Sequence, residues 1–477
     1  MSDFEAVIGL EIHAQISSKT KMFCGCDNDS FGIEANTNVC PICMGFPGML
    51  PVTNIEAIEK GVIASLSLNC EVPNHSKFDR KNYFYPDLPS GFQISQFDEP
   101  LAIGGYVEIS INDEVKKIGI TRLHLENDAG KLTHTNTGTH LDFNRAGTPL
   151  MEIVSEPDLR SAEEAKIYAE EIQKILRYSG SSTCDMEKGM MRFDASVSIR
   201  KKNENILNPR AEIKNLNSFR SLKTAIEYEI SRQIELWENG EPLSGDQTVG
   251  WDEEHLITKV LREKESSADY RYFPEPDLPP IDIDKNKLNE WRKSVPELPQ
   301  KKITRLKESY NISDAEAIFY SEDPDLAQYF EEVARLSKNP GISNSFVLTV
   351  LVSRLKEKNI NIQSSPISPE NLAELVTLID EGVISNNIAK TVIFDEMWVS
   401  GKNPKQIVAE KGITQVSDQS EIEDYCKKAI EMNPKAVEDV KNGQMKAIGA
   451  LVGFVMKESK GAANPKMVND ILIKLLV

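Results

Sequence analysis

The sequence predicts an α+β protein, with an antiparallel sheet in its N-terminal part and helices from about residue 295 onward. Two observations predict it. Separated segments before residue 220 alternate apolar and polar side chains with the period of a half-buried strand. After residue 295 apolar residues recur at helical spacing, behind recognisable N-caps.

Composition limits the function classes. The 477 residues allow two to four domains, and 40% hydrophobic with 27% charged residues is ordinary for a globular chain. No apolar run approaches the roughly 20 residues that span a bilayer. The acidic start Met-Ser-Asp-Phe-Glu lacks the profile of an export signal, so the expected location is the cytosol. A net charge of −19 argues against diffuse adhesion to nucleic acid or anionic membrane, so any such contact needs a local patch. Seven cysteines in such a chain point to thiols or metal, not to a disulfide framework.

The first strand is Val7 to Gln15, with Ile8, Leu10 and Ile12 on one face and Glu11, His13 and Gln15 on the other. One E-x-H also fits a solvated surface strand. Three later segments repeat the arrangement, which favours a shared functional face. Next come Cys24-Gly-Cys26 and, after thirteen residues, Cys40-Pro-Ile-Cys43. Two close cysteine pairs meet the needs of a structural, tetrahedral zinc with no open position, and free thiols are the alternative. Cys70, Cys184 and Cys426 are isolated and read as small buried side chains.

Ser76 to Gln96 (SKFDRKNYFYPDLPSGFQISQ) interleaves Lys77, Arg80 and Lys81 with aromatics and reads as an ordered loop; a packed aromatic cluster with snorkelling cations is the alternative. Alternation returns at 120–128, where Arg122, His124 and Glu126 share a face, and at 192–200, where Arg192, Asp194, Ser196, Ser198 and Arg200 do. Glu152 interrupts an apolar run and so needs a cation nearby. Residues 211–219 add Glu212, Lys214 and Asn215. Ser161-x-x-Glu164 is a capping box opening a helix that Gly180 stops, and a second helix covers about Leu222 to Trp237. Residues 269–284 are too rich in proline for regular structure and read as an ordered strap. Ser313-x-x-Glu316 and Ser368-Pro369 open further helices, and Gly401 to Pro404 resembles a hinge. Residues 441–477 hold six lysines against Glu458 and Asp470, a local charge of +4, which suits either a polyanion contact or a solvated helix face.

Neither a phosphate-binding G-x-x-x-x-G-K-[ST] loop nor a dinucleotide fingerprint is present; Ala129-Gly-Lys-Leu132 lacks the first glycine and the final hydroxyl. What remains is Glu11, His13, Glu126 and Glu152, with Asp194 as a further acid. Carboxylates with one imidazole suit Mg²⁺ or Mn²⁺, and with neighbouring Arg and Lys they suit a nucleotide triphosphate. A non-catalytic scaffold, whose sheet merely orients partners, and a metal-dependent hydrolase are the competing classes. Acids on separate strands beside Arg and Lys favour phosphoryl transfer to an acceptor over both.

Together VIGLEIH, SKFDRKNYFYPDLPSGFQISQ, TRLHLENDAGK, NRAGTPLMEIVSEPD, AEIKNLNSF, DYRYFPEPDLP and KAIGALVGFVMKESKGAANPK resemble the GatB family, the B subunit of the bacterial aspartyl/glutamyl-tRNA amidotransferase. The resemblance runs through essentially the whole chain, and the tail resembles a YqeY-like module. It implies a glutamine-synthetase-like cradle with the zinc loop over 1–294, a helical domain over 295–405 and a tRNA-binding tail over 406–477. It implies that ATP phosphorylates the side-chain carboxylate of Glu-tRNA(Gln) or Asp-tRNA(Asn), and that ammonia then displaces phosphate. Ammonia would come from a glutaminase A subunit, in a heterotrimer completed by a C subunit. Glu11, His13, Glu126 and Glu152 carry over as the catalytic set, with Mg²⁺ on His13, Glu126 and Glu152. Lys81 carries over to the ammonia route, Cys24, Cys26, Cys40 and Cys43 to zinc, and Lys446, Lys457, Lys460 and Lys466 to tRNA. One departure stands out: many relatives carry a second acid where this chain has Asn127.

Overall fold

The computed structural model describes residues 3–112, 114–263, 269–412, 419–441, 444–459, 463 and 465–476. The chain forms two compact units, residues 1–298 and 299–477. The first is built on a nine-stranded sheet made of β1 (Phe4–Gln15), β2 (Ala102–Ile103), β3 (Tyr106–Ile111), β4 (Glu114–Asn127), β5 (Pro149–Ser155), β6 (Met191–Lys201), β7 (Ala211–Leu216), β8 (Gln247–Asp252) and β9 (Ile257–Glu263). The order across the sheet is β9-β8-β7-β6-β1-β5-β4-β2, with β3 also paired to β4. β1 therefore lies near the middle, flanked by β5 and β6.

All of these pairs are antiparallel except β7 with β8. That pair departs from the purely antiparallel expectation. The chain leaves β7 into the helix Phe219–Glu238 and returns by it as a crossover, which brings β8 back in the same direction.

The face of β1 carrying Ile8, Leu10 and Ile12 is fully buried. It packs with Ile172 and Leu176 of the helix Ala162–Tyr178 and Leu222 and Ile226 of Phe219–Glu238 in one continuous core. Each such aliphatic side chain contributes about 1.5–3 kcal/mol on burial. With one sheet face closed by helices, the polar face is left for ligands.

Ser161 caps its helix as the sequence predicts, its oxygen accepting from the Glu164 N–H at 3.1 Å. The reciprocal half of the box is different. The Glu164 carboxylate accepts from the Arg160 N–H and pairs with Lys116, both at 2.7 Å. A basic side chain brought in by the sheet outcompetes the Ser161 N–H.

Two stretches read as irregular contain short strands. Asp79–Asn82 pairs with Phe92–Ser95 and with Phe273–Pro274, and His75–Ser76 pairs with Ile281–Asp282. The strap is thus stitched to the aromatic loop. In place of snorkelling cations, Arg80 forks onto Glu275 at 2.7 and 2.8 Å and Lys77 pairs with Asp79 at 2.7 Å.

The second unit is helical. Ser313 and Glu316 form a complete capping box, and Pro369 stands at the first helical position of Pro369–Asp380. Gly401, with φ 66°, closes Phe394–Ser400 and Asn403 caps Pro404–Lys411, so the stretch read as a hinge is a pair of caps. Helices Gln419–Met432, Ile448–Glu458 and Pro465–Leu476 share a separate small core around Cys426, Leu451, Val455 and Leu472. No helix among the described residues is long and apolar enough to cross a membrane.

Candidate functional site: a charged cavity and a four-cysteine cluster

Register brings the polar residues together. His13 lies opposite Glu152 on one side and Arg192 on the other, and Glu152 lies opposite His124. Two residues along, Glu11 faces Asp194. Residues directly opposite sit about 4.5–5.5 Å apart, so this row of four strands presents Arg192, His13, Glu152 and His124 side by side. Above it is a cavity of about 430 Å³, walled by Lys81 and Tyr83 of the aromatic loop and by Tyr270 and Tyr272 of the strap.

His13, Glu126 and Glu152 each offer a ligand atom within 4.8 Å of the others, and Glu11, His13 and Asp194 form a second such group. His13 Nδ1 lies 3.5 Å from Glu126 and 3.8 Å from Glu152, beyond hydrogen-bond reach, and has no hydrogen-bond partner. Glu126 is 2% and Glu152 7% exposed. Two buried carboxylates around an imidazole nitrogen without a hydrogen-bond partner form a donor set that fits a divalent cation.

The charges respond to one another. Burial lowers the His13 pKa, but the Asp194 and Glu126 carboxylates outweigh it, with Glu152, and hold it at about 10. Burial pushes Glu126 and Glu152 upward, yet both end below the usual range: His13 dominates for Glu126, and His124, His13 and Lys81 for Glu152. Glu11 moves the other way, raised by burial and by the Glu152 charge.

Lys81 Nζ sits 4.8 Å from the Tyr270 ring centroid and 5.9 Å from that of Tyr83. Burial lowers its pKa, but Glu126, Tyr272 and Glu152 outweigh that and leave it above the usual lysine value. Lys214 is tied down, pairing with Asp194 at 2.9 Å and with Glu212. Arg192 approaches Asp128 at 3.4 Å. Asn127 does not enter the cavity chemistry; its Oδ1 accepts from the Ile94 N–H at 2.8 Å and fastens the aromatic loop to β4.

The structure also gathers residues outside the proposed catalytic set. His124, Arg192 and Lys214 stand on the polar segments that the sequence analysis names. Tyr270, Tyr272 and Asp128 carried no such signal, since strand register and strap pairing place them.

The four cysteine sulfurs lie within 4.8 Å of one another, and all seven cysteines are free of disulfides. Asn54 holds the base of this loop by donating to the carbonyls of Thr20 and Lys21 at 2.9 and 3.2 Å. The hydrogen bond with Cys24 lowers the Cys43 pKa; burial opposes it, but the Cys40 N–H and the Lys21 charge help bring it down to about 5. The same hydrogen bond, with burial, raises the Cys24 pKa, and burial pushes Cys26 up to about 11, so the cluster favours one thiolate, at Cys43.

In the second unit Lys446 and Lys457 are exposed. Lys460, and the side chain of Lys466, lie outside the described residues.

Comparison with known proteins agrees along the whole chain. Residues 6–289 match the family model described as the GatB/GatE catalytic domain, and residues 328–476 match the GatB domain. The B subunit of the aspartyl/glutamyl-tRNA(Asn/Gln) amidotransferase from Carboxydothermus hydrogenoformans is 48% identical over 477 residues, covering 99% of this chain and 98% of the relative. Its counterpart from Persephonella marina is 50% identical over 475 residues (99% and 100%), and that from Thermotoga maritima 47% over 479 (99% and 99%). With a catalytic-domain model spanning more than half of it and relatives matched from end to end, the chain belongs to the GatB family of aspartyl/glutamyl-tRNA amidotransferase B subunits.

Proposed function

We propose that this B subunit of a tRNA-dependent amidotransferase carries the ATP-dependent half of the reaction in its charged cavity. The side-chain carboxylate of Glu-tRNA(Gln) or Asp-tRNA(Asn) takes the terminal phosphoryl group of ATP, releasing ADP. Ammonia then forms the C–N bond, phosphate departs with the C–O bond, and one proton is lost. Glutamine hydrolysis belongs to an A subunit, with a C subunit completing a cytoplasmic heterotrimer. The observation that carries this reading is the convergence of His13, Glu126 and Glu152 from three strands onto one point.

A divalent cation, Mg²⁺ by its oxygen-rich donor set, would be held by His13, Glu126 and Glu152 and would neutralise charge on the transferring group. Arg192, steadied by Asp128, and Arg122 supply fixed positive charge to phosphate oxygens. Lys81, held over aromatic rings instead of a carboxylate, is placed to meet the incoming ammonia or the acceptor. Glu11, with its raised pKa, is the best proton acceptor of the acid set. The strap tyrosines limit water, which protects an acyl phosphate. A merely scaffolding sheet has no need of so many buried charges, whose desolvation is costly even when they are paired.

We assign residues 1–294 to a glutamine-synthetase-like catalytic cradle, 295–405 to a helical domain and 406–477 to the tRNA-binding tail. The deciding experiment combines the chain with candidate A and C subunits, ATP, glutamine and each misacylated tRNA. ATP-dependent formation of Gln-tRNA(Gln) or Asn-tRNA(Asn) is expected; absence of both products refutes the assignment.

Zinc is the metal that four thiolates would hold, as scaffold. Protein purified without chelator is expected to hold about one zinc per chain by elemental analysis. A much lower content rejects this.

The tail lysines are proposed to meet tRNA phosphates. Lys446→Ala or Lys457→Ala should then reduce the slope of log K against log salt by about one unit each. An unchanged slope in a variant lacking 406–477 excludes that contact.

A further inference from the structure

We propose that Lys21 is the counter-cation of the four-cysteine centre, a positioning residue that balances a metal tetrathiolate and fastens it to the wall of the reaction cavity. The inference rests on the reading of Cys24, Cys26, Cys40 and Cys43 as metal ligands.

Lys21 is 0% exposed, one of the largest fully buried side chains of the protein. A buried ammonium is costly unless negative charge faces it. Its Nζ donates to the Asn38 carbonyl oxygen at 2.8 Å and to Cys43 Sγ at 3.7 Å. No carboxylate among the described residues pairs with it. One carbonyl dipole does not balance a full charge, so the negative charge that Lys21 needs is that of the Cys43 sulfur and the cluster around it. Four thiolates around a divalent ion retain two negative charges, which is what a buried ammonium requires.

The same side chain joins the two halves of the centre. The Lys21 N–H donates to the Cys26 carbonyl at 2.9 Å and closes the turn that carries Cys24 and Cys26. Asn38 and Cys43 belong to the other half, so Nζ bridges both. Its neighbour extends the link: the Met22 N–H donates to the Gly147 carbonyl at 2.8 Å, and the Gly147 N–H to the Asp128 carbonyl at 2.9 Å. Gly147 has φ 89°, and a Cβ there would lie 3.3 Å from Cys43 Cβ and 3.5 Å from Lys21 Cδ. Close packing at this glycine sets the centre against the segment that carries Asp128, which lines the reaction cavity.

The test uses the full-length protein with its metal content measured first. Lys21→Met keeps an apolar stem and removes the charge. Zinc transfer to a chromophoric chelator is expected to be about tenfold faster from this variant than from the unaltered protein. The cobalt-loaded forms of both should keep the thiolate charge-transfer band. Equal transfer rates overturn the proposal. So does a drop in melting temperature that is as large in the metal-stripped pair as in the loaded pair, because that marks a lysine needed by the fold alone. Should Lys21→Met fail to fold, acylation of lysine amines in the unaltered protein, read by mass spectrometry, replaces it. Lys21 is expected to be protected with metal and reactive after stripping; equal protection overturns the proposal. Protein that holds no metal removes the ligand reading and this proposal with it, whereas bound metal with unchanged transfer removes this proposal alone.

Discussion

Replacing His13 with alanine is expected to lower tRNA-dependent phosphate release from ATP by about 10²–10³-fold, equivalent to about 3–4 kcal/mol of transition-state stabilisation. The size follows from the position. His13 is the nitrogen donor shared by both candidate ligand groups, and its side chain is only 11% exposed. Its loss leaves Glu126 and Glu152, both buried, with one cationic partner fewer. Glu152→Gln keeps the volume and removes one anion, and a fall of similar order is expected. Neither change touches the tail, so the affinity for tRNA measured by filter binding should stay within about twofold. Wild-type turnover in His13→Ala, with the variant folded and the complex assembled, refutes the proposed role of the triad.

Mg²⁺ binding is expected to release about one proton per site, with apparent affinity rising about tenfold per pH unit between pH 6 and 9. The sign follows from the metal-free charges. His13 titrates at about 10, so over this range it is mostly protonated and must lose its proton to donate a lone pair. Glu126 and Glu152 lie below the usual carboxylate range and are already ionised, so they add no pH dependence here. Higher pH therefore favours binding, and the trend levels off as pH approaches the His13 value. Calorimetry in two buffers of different ionisation enthalpy reads the proton count directly. A pH-independent affinity across this range refutes the assignment of His13 as ligand.

Alternation is a local property, so the strand faces were legible in the chain alone. Side chains two residues apart must share a face whatever the partner strand does. Glu11 with His13, and His124 with Glu126, could therefore be paired without coordinates, and the buried place of Glu152 followed from its apolar neighbours. Caps are equally local, which is why Ser313 and Ser368 marked true helix starts. The cysteine spacing pointed to one cluster for the same reason: short loops of glycine and proline leave little freedom.

Register is not local, and only the tertiary structure decided it. Sliding β5 by two residues against β1 would keep every face assignment and still part His13 from Glu152, because the patterns repeat every two residues. Packing in the core beneath selects one offset, and that choice brings His13, Glu126 and Glu152 together. The parallel β7–β8 pair, the diversion of Glu164 to Arg160 and Lys116, and the strap over Lys81 arise likewise from contacts between distant segments. Lys21 is the sharpest case: in the sequence it is one lysine before a cysteine pair, and only long-range burial makes it a charge that must be balanced.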